Sequence, residues 1–255
     1  MRSKVLFAAL CVVFLFLLNI QPVYASNPLL PEISLSVGGT DDPADLVPAL
    51  QVLFMVSIIA LAPSLLMLLT GFTRIVISMH FLRAAMGTQQ MPPNQVLVGV
   101  ALVLTLYLMA PQLTAINETA LQPLGRGEIT IDEAIARGIE PLSRFMRSQV
   151  EDRDVDLFCK LQGVTFETRE EVPDSIIVPA FILGELTKGF IIGFVLYLPF
   201  IVIDMVVASV LMAMGMMMLP PAMISMPFKI LLFLLAGGWG FFIEHVMATF
   251  QGVVM

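Results

Sequence analysis

The 255-residue chain is 58% hydrophobic, with a mean hydropathy of +0.93 and only 13% charged residues. That apolar share exceeds the roughly 45–50% of soluble domains, which assigns the excess to lipid. The net charge of −7 comes without a basic patch and argues against a nucleic-acid partner.

In chain order, Arg2 and Lys4, the apolar run Val5 to Ile20 and then Val23-Tyr24-Ala25 before Ser26 read as a signal peptide over residues 1–25, cleaved between Ala25 and Ser26. The alternative is an uncleaved first helix, but the run is shorter than the ~20 residues a span needs. Cleavage leaves Cys159 as the one cysteine, so no intramolecular disulfide can form. Residues 26–48 carry Glu32, Asp41, Asp42 and Asp45 without a base and are read as a periplasmic segment.

Four apolar stretches follow, about Ala49 to Leu69, Val96 to Pro111, Ile176 to Ile203 and Pro227 to Ala248. The Gly71 to Gln95 connection carries Arg74 and Arg83 with no acid and is therefore placed in the cytoplasm. Residues 49–111 then form a first hydrophobic hairpin, 112–175 a periplasmic insertion, and 176–255 a second hairpin with a methionine-rich loop. Thr130 and Glu133 have capping-box spacing at a helix start, and Ile131, Ile135, Ile139, Leu142 and Met146 recur at helical steps. Pro141 is expected to divide that helix in two, and Glu151 to Asp156 to be a solvated face. The fold class is thus an all-α integral membrane protein with a small α-helical insertion.

Chemistry-bearing motifs are scarce. His80 and His245 lack metal-ligand spacing, and no phosphate loop, dinucleotide fingerprint or nucleophile elbow is present, so neither catalytic residues nor a cofactor or metal is assigned. Glu185 and Lys188, at i and i+3 in an apolar stretch, are read as an ion pair neutralising each other, either tying helices or subunits together or serving as a relay. Asp204 is read as a helix-terminal or interface residue, and Gly189 and Gly193 as a small-residue pair that permits close helix approach. Met212, Met214, Met216, Met217 and Met218 precede Pro220-Pro221, and Gly215 with the prolines is expected to break the helix there. Core filling, a thioether copper site and a deformable gasket around a pore are the competing readings of those sulfurs.

The strings Phe72-Thr73-Arg74-Ile75-Val76, Phe81-Leu82-Arg83, Gly87-Thr88-Gln89-Gln90-Met91-Pro92-Pro93-Asn94-Gln95-Val96-Leu97, Pro179-Ala180-Phe181-Ile182, Ile203-Asp204-Met205-Val206, Gly215-Met216-Met217-Met218-Leu219-Pro220-Pro221 and Pro227-Phe228-Lys229 resemble the FliP/SctR family of type III export-gate proteins. The resemblance runs from about Val47 onward, although Ala236-Gly237-Gly238-Trp239 lacks the acid usual before Gly-Trp. It implies kinked helical hairpins, five copies assembled with FliQ and FliR relatives beside FlhB and FlhA relatives, and a channel for unfolded export substrates in the bacterial inner membrane. It also implies that the methionines form the channel gate and that Glu185 and Lys188 pair between subunits. The signal and the length point to the flagellar branch, with the virulence injectisome as the alternative.

Overall fold

The computed structural model describes residues 53–250 except 55, 58, 59, 62, 89, 90 and 217. The expected signal peptide, its Ala25–Ser26 junction, segment 26–48 and Met217 lie outside the described residues. The chain divides into two compact units, 1–56 and 57–255. Of the first, residues 53, 54 and 56 are described and helical, and the second is helical with no strand among its described residues.

Helix α1 (Phe72–Ala85) occupies most of the expected cytoplasmic connection. Ile75, Met79, Leu82 and Ala85 recur on one face and are buried, which is why this segment is a packed helix and not a solvated link. It lies mainly along α7 (Asp174–Ala213), where two glycines set the distance. A Cβ on Gly193 would stand 2.4 Å from Cγ of Phe81, and one on Gly189 would stand 3.1 Å from Cβ of Ile77. The Gly189/Gly193 pair thus admits α1 itself, and Phe81 meets Phe190 edge to face at 5.4 Å.

Helix α2 (Asn94–Leu108) is followed by α3 (Ala110–Ile116), a π-helical turn (Asn117–Leu121) and α4 (Gln122–Gly125), with a 57° bend after Leu108. Helix α5 (Ile131–Gln149) starts with the expected capping box: Glu133 N–H donates to Thr130 Oγ1, and Thr130 N–H to the Glu133 carboxylate. Two expectations are corrected here. Pro141 does not divide the helix, because the acceptor it deprives, the carbonyl of exposed Arg137, can turn to water while buried Phe145 and Met146 anchor the next turn. The apolar stripe is also only half a core face. Ile131, Ile135 and Ile139 are exposed, while Leu142 and Met146 of the stripe pack inward together with Ala134, Pro141 and Phe145.

Helix α6 (Asp152–Gln162) ends at Gly163, whose φ of +70° suits a residue without a Cβ. Asp154 in this helix is buried against Gly184, so the acidic stretch is not wholly solvated. Arg147 of α5 clamps the start of α7, donating to Val172 O at 2.6 Å and Asp174 Oδ1 at 2.7 Å. The first turns of α7 then pack Ile176, Ile177, Ala180 and Phe181 into the core, with Phe145 and Phe181 edge to face at 5.9 Å.

Pro179 and Pro199 do not interrupt α7, which runs for 40 residues. At 1.5 Å per residue its length is about 60 Å, twice the ~30 Å hydrocarbon core. Among the described residues it alone is long and apolar enough, as a single helix, to cross a membrane. The pairs α2–α4 and α8–α9 (Pro221–Leu235 and Gly238–Ala248) reach that criterion only if each bent pair counts as one span. Between α8 and α9 the axis turns by 64° at Gly237, where φ is +101°.

Candidate functional site

The methionine segment begins where α7 stops. Ala213 is the last helical residue, Met214 caps it, and Gly215 adopts φ +73°. Gly215 N–H donates to Met212 O at 3.0 Å and Met216 N–H to Leu211 O at 3.0 Å, the paired bonds of a Schellman stop. Pro220 and Pro221 then restart the chain as α8, since proline is tolerated at a helix's first position. The break expected from Gly215 and the prolines is where the fold puts it. Met212, Met214, Met216 and Met218 are all exposed, Met218 at 99%. Behind them an apolar groove of about 480 Å³ runs between the end of α7 and the start of α8, lined by Val206, Val210, Ile224 and Phe228 among others.

Two buried charge clusters hold the elements on either side. The first centres on Arg74, which is 0% exposed. Its Nε donates to Glu185 Oε2 at 2.9 Å and Nη2 to Glu185 Oε1, a bidentate fork. Nη1 donates to Thr249 O at 2.8 Å and Thr249 Oγ1 at 3.0 Å, and Nη2 also reaches Gln149 Oε1 at 3.4 Å. The five N–H donors of a guanidinium are thus all engaged. The Phe250 ring covers the cation, with its centroid 3.9 Å from the guanidinium carbon. One side chain joins α1, the end of α5, the first third of α7 and the residues after α9.

Within the chain, Glu185 and Lys188 bond different partners and not each other. Glu185 is 1% exposed and turned toward Arg74, whereas Lys188 donates to the carbonyl of Gln149 and lies 3.8 Å from Glu151. Each has its own partner because the i, i+3 offset points them at different neighbours, α1 for the acid and the end of α5 for the base. Lys188 meets that end where helix carbonyls lack intrahelical donors and the helix dipole is negative.

The second cluster joins α7 to α8. Lys229 Nζ donates to Asp204 Oδ2 at 2.6 Å, and Ser225 Oγ, one turn earlier, to Asp204 Oδ1 at 2.6 Å. Lys229 and Ser225 are buried, and Asp204 is an interior residue of α7, not its end. Charges inside apolar segments are costly unless paired, so Asp204 and Lys229 each signal in the sequence that a partner exists, without saying which one. Arg74 was harder to find, because its flanks make it look like a loop charge. Among the described residues no three His, Cys, Asp or Glu side chains converge as a metal site.

The family profile that matches the chain is that of the FliP family, over residues 55–246. The chain belongs to the FliP family. The flagellar biosynthetic protein FliP of Bacillus subtilis is 44% identical over 217 residues, covering 85% of this chain and 98% of that relative. FliP of Treponema denticola is 42% identical over 224 residues, 87% of this chain and 83% of the relative. FliP of Buchnera aphidicola from Baizongia pistaciae is 41% identical over 244 residues, and there the chain spans 66% of the relative's length. The matched FliP region contains both charge clusters except for Thr249 and Phe250, together with the whole methionine segment.

Proposed function

We propose that the chain is a core subunit of the flagellar type III protein export gate in the bacterial inner membrane, at the flagellar basal body. In this reading five copies assemble with FliQ and FliR relatives beside FlhB and FlhA relatives, and unfolded flagellar proteins pass through the shared channel. A signal peptide (1–25) and a periplasmic segment (26–48) precede a hydrophobic hairpin (49–111), a periplasmic insertion (112–175) and a second, kinked hairpin (176–255). The chain acts as a conduit, not an enzyme, with energy supplied by other subunits and the proton-motive force.

The observation that carries this reading is a helix break in a FliP-family chain that presents Met212, Met214, Met216 and Met218 outward with no core to fill. With Met217 these side chains form the channel gate. Unbranched thioethers adapt their shape readily, so a ring of them closes to ions and parts for a polypeptide. Glu185 serves within the protomer, and Lys188, which keeps partial exposure, is the member of that pair available to a neighbouring subunit.

Replacing Met216, Met217 and Met218 by alanine is expected to raise passive leakage of small ions before it abolishes motility and export. Wild-type conductance in that variant would sink the gasket. A copper site would instead appear as stoichiometric Cu(I) in the purified protein, lost in the same variant.

A further inference from the structure

Of the cations that the fold buries wholly or in part, Arg74, Arg147, Lys188 and Lys229 each pair with an acid. Arg83, in the last turn of α1, is half-buried and forms no ion pair among the described residues. Its two side-chain contacts are neutral acceptors: Nη1 donates to Pro92 O at 3.3 Å, and Nη2 to His80 Nδ1 at 3.1 Å. The neighbouring sequence offers no acid either, since none occurs between Asp45 and Glu118. The charge of Arg83 and most of its five N–H donors therefore remain for an anion.

Beside this cation the fold leaves an apolar cavity of about 310 Å³ between α1, α2 and α9, walled by Met79, Pro92, Leu97, Val100, Trp239 and Ile243 among others. Its volume is in the range of small-ligand sites. Pro92 belongs to both features, because its carbonyl accepts from Arg83 and the residue forms part of the cavity wall. Met79 precedes Arg83 by one turn on the same face of α1. At the other wall the Trp239 ring is held edge-on by Phe233 at 5.5 Å and Phe242 at 6.1 Å, and its indole N–H makes no hydrogen bond among the described residues. The ligand that completes these groups is an amphiphile with an anion at one end, an acceptor near it and an apolar tail.

We propose that this cleft holds an anionic phospholipid, with its phosphate on Arg83, an ester carbonyl on the indole N–H of Trp239 and an acyl chain in the cavity. One lipid molecule carries all three features in the order in which the site presents their complements. Arg83 also sits in the connection read as cytoplasmic, where the leaflet is rich in anionic lipid, and basic pockets between apolar helices on that side suit such head groups. A tryptophan whose ring is apolar and whose N–H seeks an acceptor is suited to the same depth. The inference rests on the membrane location and orientation of the proposed function and on none of its partner proteins.

The test is native mass measurement of the full chain, extracted in detergent, stripped of lipid and titrated with phosphatidylglycerol or, separately, phosphatidylcholine. The wild type is expected to bind phosphatidylglycerol saturably and more tightly than phosphatidylcholine. Arg83→Gln is expected to weaken phosphatidylglycerol about tenfold or more, the loss of a charge-assisted hydrogen bond, and to leave phosphatidylcholine unchanged. Arg83→Lys should keep the preference, and Trp239→Phe should weaken both lipids alike, since both carry the ester carbonyl. Equal binding of the two lipids by the wild type overturns the inference, as does parental phosphatidylglycerol binding by Arg83→Gln. Inorganic phosphate that binds as tightly as the lipid assigns the site to a free anion and overturns it too. So does an Arg83→Gln chain that keeps its lipid but no longer co-purifies with the FliQ and FliR relatives, which would assign the anion to an acid of a partner subunit. A chain recovered in the soluble fraction without detergent refutes the membrane location itself, and this inference with it.

Discussion

Arg74 shows how far a single side chain can reach when it is buried and fully bonded. Removing one member of such a pair strands the other charge, at a cost of about 3–5 kcal/mol, whereas replacing both by apolar groups of similar volume is often tolerated. Arg74→Met and Glu185→Leu should therefore each lower the melting temperature of the extracted chain sharply, and the double variant should recover much of the loss. Additive losses would mean that Thr249 and Gln149, not Glu185, carry the interaction. Asp154 behaves in the opposite sense. Burial raises its pKa, with Glu151 adding to the effect and Arg153 and Lys188 opposing it. An acid whose folded pKa is raised favours the fold most below its ordinary range and loses that contribution as pH rises through the folded value. Asp154→Asn should thus flatten the stability profile of the chain between mildly acidic and neutral pH and stabilise it at the neutral end. A profile unchanged by the substitution would refute the assignment.

At the scale of the element, glycines decide where helices touch and where they stop. A methyl at residue 193 would press on the root of the Phe81 ring, not on a flexible tip, so Gly193→Ala should force α1 off α7 and lower the melting temperature. A variant that melts with the parent would show the approach to be looser than the distances imply. Gly215→Ala puts a Cβ on a left-handed residue and should cost on the order of 1–2 kcal/mol. Much of this was readable beforehand. The capping box at Thr130, the stop at Gly215 and the closeness allowed by Gly189 and Gly193 are local or nearly local, and short-range sterics specify them. The packing register of α5 was not readable, because Ile131, Ile135 and Ile139 satisfy helical periodicity whether they face the core or not. Nor was the endurance of α7 through Pro179 and Pro199, which tertiary contacts with α1 and α8 support against local propensity.

For the molecule as a whole, the two charge clusters are what periodicity could not supply, since Arg74 and Glu185 are 111 residues apart and Asp204 and Lys229 are 25. Composition places the charges among apolar residues, and only the fold selects their partners. The α7–α8 pair also bears on the methionine loop it carries. Asp204→Asn should loosen that hairpin and produce ion leakage resembling the methionine variant, and exchanging the pair as Asp204→Lys with Lys229→Asp should restore tightness in part. Leakage absent from Asp204→Asn would separate the hairpin's integrity from the gate. The positive-inside reading of Arg74 and Arg83 also changes, because Arg74 is spent on an internal bond network and Arg83 alone remains as a charge that could mark the cytoplasmic side.

The guanidinium of Arg74 also has a history during synthesis. The carbonyl of Thr249 follows it by 175 residues. At 5–20 residues per second that carbonyl is made roughly ten to thirty-five seconds later. Through that interval the cation has none of its final partners from the end of α9, and for most of it none from Glu185 either. An uncompensated guanidinium does not enter hydrocarbon cheaply. Helix α1 must therefore wait in a hydrated place while the rest of the chain is made, and its final seat against α7 is taken only when the last helix arrives.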